Sequence, residues 1–271
     1  MIRRGIGVQS YVSVGGGTDA DAQAFITAAG ITDATQQSAI NTLVTDLKTY
    51  GVWTKMKAIY PFVGGTSSTH KWNLKDPRDL DAAFRLVFNG GITHSSTGAL
   101  FNGTNGWGNT FLNANTNLTN GNLHLSFYSR TNNTSQNFSL EVLLLTGYNP
   151  IGNVGLRVMD KAMGASYFSP GNDNTESVGA STTTKGFGIG TETSNSLRKF
   201  IKNGSILATN TTTSSTALAN ANLTLMGNNI AAVYSNNEAA FASIGDGLTD
   251  TEAANLYTAV QAYQTTLSRN V

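Results

Sequence analysis

The chain has 271 residues, with 17 Lys and Arg against 16 Asp and Glu for a formal charge of +1, so no basic surplus follows a phosphate backbone and nucleic acid is excluded as an expected partner. There are no cysteines, which excludes disulfides, thiolate metal sites and thiol chemistry together. Charged residues are 12% of the chain, about half the usual share of roughly 25%, so the polar surface is mostly amide and hydroxyl; no apolar run approaches the roughly 18–20 residues that membrane insertion requires.

The opening MIRRGIGVQSYVSVGGG lacks an apolar signal core and a cleavage site, which predicts a chain not exported by an ordinary signal. Residues 1–17 read as an N-terminal arm that ends in three glycines, with Tyr11, Val12 and Val14 available for docking. TDADAQAFITAAG predicts a helix capped by Thr18 and stopped by Gly30. TDATQQSAINTLVTDLKTYG predicts a second, from Thr32 to Gly51, with Ile40, Leu43, Val44 and Leu47 in one stripe. That stripe faces either the chain's own core or another subunit. Together the helices form a lead-in over residues 18–56 that serves for attachment.

From residue 57 to 271 the texture changes to short apolar runs between Gly, Asn and Ser clusters, the pattern of many strands joined by turns. Strands are predicted at 58–63, 83–88, 98–103, 123–130, 138–146, 154–159, 186–191, 198–203, 205–209, 223–227 and 239–244. In LHLSFYSR the alternation puts Leu123, Leu125 and Phe127 on a buried face and His124, Ser126 and Tyr128 on a wet one. FSLEVLLLT is apolar throughout and suits a strand covered on both sides. Asn203-Gly204 predicts a two-residue hairpin turn. Two antiparallel sheets packed face to face follow, an all-β sandwich. KWNLKDPRDLDAAFRLVF joins the lead-in to it, with Arg78, Asp79 and Asp81 as a local ion-pair cluster. In the ending, Thr249 and Glu252 form a capping box, and Leu256, Val260, Tyr263 and Leu267 form one stripe that closes the sandwich and meets the N-terminal helices or another subunit.

Four pieces, in order, carry a resemblance: STGALFNGTNGWGNTFL (96–112), LHLSFYSR, RKFIKNGSILAT (198–209) and FASIGDGLTDTEAANLY (241–257). They resemble the laminin-G-like, concanavalin A-like jelly-roll family. The resemblance implies an antiparallel β-sandwich jelly roll with N-terminal helices and a C-terminal helix. The lead-in and the ending are similar to virion proteins of tailed bacteriophages. That implies a structural protein on the virion surface, as tail, head fibre or capsid decoration, made in the host bacterial cytoplasm. Its implied partners are other virion proteins, through the arm and helices, and further copies of itself, as a homotrimer.

Concanavalin-like polysaccharide-cleaving enzymes resemble one another in a Glu-x-Asp-x-Glu strand, and no such triplet occurs here. Glu141 stands alone, Glu176 and Glu192 lie in or near loop texture, and His70, His94 and His124 are far apart in sequence without metal spacing. The expectation is therefore no catalytic residues and no enzyme, with a polysaccharide-active enzyme as the alternative. Exposed aromatics beside amides suit glycan stacking: Trp107 between Asn105 and Asn109, with Tyr148 and Tyr167 beside loops, are the candidate ligand residues. Trp53 and Trp72 are assigned to packing. No cofactor is expected beyond calcium, which the family resemblance allows, with Asp160, Asp173 and Asp246 as candidates. The function expected is a displayed virion protein that binds host-surface or environmental glycans; the alternative is a capsid or tail assembly or cementing protein without a ligand.

Overall fold

The computed structural model describes residues 17–132, 140–146, 155–160, 165–169, 177–181, 183–213, 217–218, 220–228 and 233–271. Two helices come first, α1 (Ala20–Ala29) and α2 (Ala34–Thr49). Then follow β1 (Met56–Tyr60), the one-turn α3 (Ser67–His70), β2 (Val87–Asn89), β3 (Ile92–Ser95), β4 (Gly98–Phe101), β5 (Trp107–Asn113), α4 (Ala114–Asn117) and β6 (Leu123–Ser129). Next are β7 (Leu140–Thr146), β8 (Gly155–Asp160), β9 (Ala165–Ser169), β10 (Ser177–Ala180), β11 (Gly186–Ser194), β12 (Leu197–Lys202), β13 (Ser205–Asn210) and β14 (Asn222–Leu225). A small ribbon, β15 (Gly227–Asn228) and β16 (Val233–Tyr234), precedes β17 (Glu238–Gly245) and α5 (Asp250–Thr266).

The first sheet runs β13-β12-β11-β6-β17-β4-β3, with β1 sharing one edge of β17 with β4. The second runs β10-β9-β8-β7-β14-β5-β2. One core lies between them, built from Tyr60, Phe101, Leu112, Leu123, Leu125, Phe127, Phe168, Phe200, Leu223 and Leu225. A second lies on the other side of the first sheet, where Tyr128, Phe187, Ile189, Ile201 and Phe241 meet α1, α2 and α5.

This third layer corrects the reading of β6. His124, Ser126 and Tyr128 do alternate with the leucines, but they are buried too, because the helices cover the face that alternation alone marks as wet. It also decides the α2 stripe. Ile40, Leu43, Val44 and Leu47 are buried in the chain's own core, in the cluster that joins α1, α2 and α5 to the first sheet, each side chain contributing roughly 1.5–3 kcal/mol. GFGIG in β11 follows the same geometry: Phe187 and Ile189 face the helices, while a Cβ on Gly190 would lie 2.1 Å from the Phe168 ring of the second sheet.

Local signals place most ends well. The β12–β13 turn has Asn203 at φ 48° and Gly204 at φ 79°, both left-handed as its two-residue geometry demands. The helix starts shift by one residue. Asp19 and Asp33 cap α1 and α2 in place of Thr18 and Thr32, since their carboxylates accept from the N–H groups of Asp21 and Gln36 and favour the positive helix end. At α5 the capping box is complete: Glu252 N–H donates to Thr249 Oγ1 at 3.3 Å and Thr249 N–H to Glu252 Oε2 at 2.8 Å. Thr249→Ala is expected to cost about 1 kcal/mol, read as a lowered urea midpoint with an unchanged slope.

Leu256, Val260 and Tyr263 are buried, Leu267 packs at their margin, and Tyr263 Oη donates to the Pro61 carbonyl at 3.1 Å. The connecting ion cluster is wired differently from its sequence order. Arg78 pairs with Asp76, while Asp79 and Asp81 both pair with Arg85. Strands β3, β5, β9 and β10 are not among the predicted runs and are defined by pairing with their neighbours, β4, β14, β8 and β9 in turn.

Candidate functional site

Because α1, α2 and α5 all lie on the first sheet, the far face of the second carries none of them. β5 divides its residues between core and that face. Gly108, Thr110 and Leu112 are buried, and Trp107, Asn109, Phe111 and Asn113 alternate with them as half-buried positions. Register supplies the neighbours: Asn89 lies opposite Trp107, and Val87 and Thr224 flank Asn109. Asn89 escapes sequence reasoning, since only the pairing of β2 with β5 brings it to the tryptophan.

The turn before Trp107 is pinned by amides. Asn102 Oδ1 accepts from the N–H groups of Thr104, Asn105 and Gly106, at 3.0, 3.1 and 2.9 Å. Asn105 Oδ1 accepts from Gly91 N–H at 2.9 Å and from Asn102 Nδ2 at 2.8 Å. A Cβ on Gly106 would lie 2.5 Å from the Gly91 carbonyl, so only glycine lets the two turns touch. Asn105 is thus a structural brace. Asn109 Oδ1 accepts from Phe111 N–H at 2.9 Å, which supports the left-handed Phe111 at φ 56° and leaves Asn109 Nδ2 as its donor toward a ligand. Asn89 Nδ2 donates to the Val87 carbonyl, leaving its Oδ1 as an acceptor.

The remaining candidates do not gather there. Tyr167 lies in β9, four strands from β5, about 19 Å at the usual strand spacing. Tyr148 and Asp173 lie outside the described residues. Asp160 ends β8 opposite Leu140 and Ala165, on the second sheet. Asp246 follows β17 on the first, 3.4 Å from Lys57 Nζ. Among the described residues no three His, Asp or Glu side chains converge on a point that suits a metal ion.

Two readings of titratable groups change. His70 and His94 are far apart in sequence but meet at 3.0 Å, Nδ1 to Nδ1. Glu192, read as loop texture, is fully buried with Arg198 Nε at 2.9 Å, because β11 and β12 place the two directly opposite each other. His124 donates from Nδ1 to the Asp246 carbonyl at 2.6 Å, and its Nε2 accepts from Ser243 Oγ at 3.0 Å; Ser126 lies 2.6 Å beyond. Burial holds the His124 pKa down to about 4, so the ring is neutral at pH 7. This has the polarity of a base and a hydroxyl nucleophile, yet His124 and Ser243 are both wholly buried, which makes the trio a bond between β6 and β17. A separate groove of ≈ 330 Å³ lies between β11, β12 and the start of α5, lined by Thr193, Leu197, Lys199 and Asp250, with Lys199 paired to Asp250 at 2.6 Å.

No family model matches the chain, and no curated protein matches it. Solved structures do. Domain 4 of a GH43 extracellular arabinanase from Geobacillus stearothermophilus, in complex with arabinotriose, is 13% identical with a TM-score of 0.51, over 74% of this chain and 98% of that one. Trypanosoma rangeli sialidase is 12% identical with a TM-score of 0.54, over 83% of this chain and 40% of the sialidase. Botulinum neurotoxin type C is 11% identical with a TM-score of 0.50, over 79% of this chain and 53% of that one. The chain therefore spans about half or less of the sialidase and toxin chains it matches.

These likenesses correct the expectation that the chain stands apart from enzymes. Chains from a sialidase and an arabinanase share its fold, and a missing Glu-x-Asp-x-Glu triplet is no ground for separating it from them. At such identities the likeness is one of fold, and the chain is an all-β antiparallel sandwich of the jelly-roll kind, with N-terminal helices and a C-terminal helix.

Proposed function

We propose that this chain is a glycan-binding module displayed on a bacteriophage particle, and that Trp107 is the platform on which the sugar stacks. The observation that carries the reading is the half-buried Trp107 between Asn89 and Asn109, held by the Asn102–Asn105–Gly91 brace on the face away from α1, α2 and α5. The apolar face of a sugar packs on an indole, and flanking amides exchange hydrogen bonds with its hydroxyls. A braced platform loses little freedom on binding, which favours affinity. The arabinanase domain solved with arabinotriose, the sialidase solved with sialic acid and the neurotoxin described with gangliosides support a carbohydrate ligand. Placement on a virion, with attachment through the arm and the first helices, rests on the resemblance of the lead-in and ending to virion proteins of tailed bacteriophages.

A glycan array followed by calorimetry on the best hit tests the ligand. Trp107→Ala is expected to weaken binding at least about tenfold, roughly 1.4 kcal/mol, while the thermal midpoint holds nearly constant. Asn109→Ala is expected to weaken it less. A wild-type protein that binds no glycan, or a Trp107→Ala variant that binds as well, removes the reading. Gold-labelled antibody on intact particles tests display independently: labelling without glycan binding assigns the chain to assembly, and no labelling removes the virion placement.

A further inference from the structure

His70 closes α3, His94 lies in the edge strand β3, and the 3.0 Å between their Nδ1 atoms has a polarity set by the backbone. Gly65 N–H donates to His70 Nε2 at 3.2 Å. His70 therefore carries its proton on Nδ1 and donates to Nδ1 of His94, whose own proton sits on Nε2. Neither ring can take a second proton and keep this chain of bonds. A proton added to His94 sets two N–H groups against each other; one added to His70 opposes the amide of Gly65.

The surroundings offer an added charge nothing. Phe62 stands edge-on to His70 at 5.6 Å and Phe88 edge-on to His94 at 4.6 Å. The charged groups on the packed elements are engaged elsewhere or have the wrong sign. The Arg269 guanidinium donates to the Phe62 carbonyl, Glu238 on β17 accepts from Thr97 and Arg130, and Lys71 pairs with Asp79. The segment held by the pair is pressed closely onto the strand. Gly64 and Gly65 have φ of 96° and 81°, a Cβ on Gly64 would lie 2.5 Å from Thr69, and one on Gly65 would lie 3.2 Å from the Ser96 nitrogen.

We propose that the His70–His94 pair is an acid-sensitive latch that holds residues 64–70 over the end of edge strand β3 at neutral pH and releases them on acidification. Burial lowers the pKa of both rings, that of His70 to about 3, with His94 and Arg269 adding to the effect at His70. A depressed histidine pKa means that the open state takes up the proton first. The latch is therefore complete above about pH 6.5, the ordinary histidine value, and weakens as pH falls from there toward about 3. With one ring protonated on opening, the equilibrium shifts roughly tenfold per pH unit, or about 100-fold at about pH 4.5.

Hydrogen exchange of the full chain at about pH 7.5 and about pH 4.5, corrected for intrinsic rates, reads this directly. Residues 62–71 and 90–98 are expected to lose protection by about 100-fold, while β6 and β17, which hold His124, keep theirs. Equal protection at both pH values, or an equal loss in β6 and β17, overturns the latch. The double variant His70→Gln, His94→Asn replaces both rings with amides that donate and accept but do not titrate, and is expected to abolish most of the pH response, whereas His94→Asn alone leaves the part that belongs to the buried His70. Should the double variant fail to fold, ring titration of the native protein by NMR decides: rings that titrate near 6.5 without movement of the Gly64–Thr66 amides overturn the proposal just as firmly.

Discussion

Arg269→Ala is expected to lower the unfolding free energy by about 3–5 kcal/mol, a large part of the roughly 5–15 kcal/mol typical of a domain. The residue is fully buried, and burial lowers its pKa, yet no carboxylate forms a salt bridge with it among the described residues. Neutral oxygens replace the counter-ion. Nε donates to Gln264 Oε1 at 2.9 Å, Nη1 to the Phe62 carbonyl at 2.7 Å, and Nη2 to the carbonyls of Pro61 and Ala240 at 3.3 and 3.2 Å. The guanidinium also lies 5.3 Å from the centre of the Tyr263 ring. It thereby joins the end of the chain, the segment after β1 and the middle of β17. Phe62 sits at φ 48°, a left-handed conformation that costs a bulky residue about 1–3 kcal/mol and persists because its surroundings hold it. Truncation takes the donor from the buried Phe62 carbonyl and from Gln264 Oε1, at about 1–3 kcal/mol each, and weakens the Pro61 and Ala240 carbonyls, which keep Tyr263 Oη and Gln264 Nε2; removal of a buried charge offsets part of this. Arg269→Met separates the causes. It restores most of the volume but no donors, so nearly the full loss is expected in urea unfolding; a Met variant close to wild type would mean that packing, not donation, is what the arginine supplies.

Glu192→Ala is expected to cost a comparable 3–5 kcal/mol, because it leaves the Arg198 charge buried without its carboxylate. Both side chains are entirely buried. Glu192 Oε1 accepts from Arg198 Nε, its Oε2 accepts from Gly121 N–H at 3.0 Å, and Arg198 reaches the carbonyls of Thr212 and Asn195 at 3.0 and 2.7 Å. The pair closes one end of the space between the sheets, in the cross-strand register of Leu123 and beside Phe200. A double variant, Glu192→Leu with Arg198→Met, is expected to recover much of the loss, since two apolar groups of similar volume avoid the desolvation of two ions. The measurement is a double-mutant cycle by denaturant unfolding. A double variant as unstable as the sum of the two single ones would show that the backbone bonds to Gly121, Thr212 and Asn195 matter more than the ion pair.

Much of the fold was legible because its signals are local. A left-handed Asn203-Gly204 turn, the Thr249–Glu252 box and the stripes of α2 and α5 each depend on residues within a turn or two of one another. Alternation in β6 was legible in the same way, and misread only in its environment. The candidate site was half legible. Trp107 could be picked out from its flanking amides, but Asn105 proved to be a brace, Asn89 came from a paired strand, and Tyr167 lies four strands away.

The sequence by itself determined the strand-and-turn texture, the sandwich class and the ends of its helices, since propensity, capping and periodicity act over a few residues. Tertiary structure alone decided which faces are wet and which charges are buried. Whether the polar side of β6 meets water depends on helices drawn from both ends of the chain, and whether Arg269 is buried depends on Pro61 and Phe62, 208 and 207 residues away. The His70–His94 pair and the Glu192–Arg198 pair exist because strands and loops were brought into register, which no local pattern encodes.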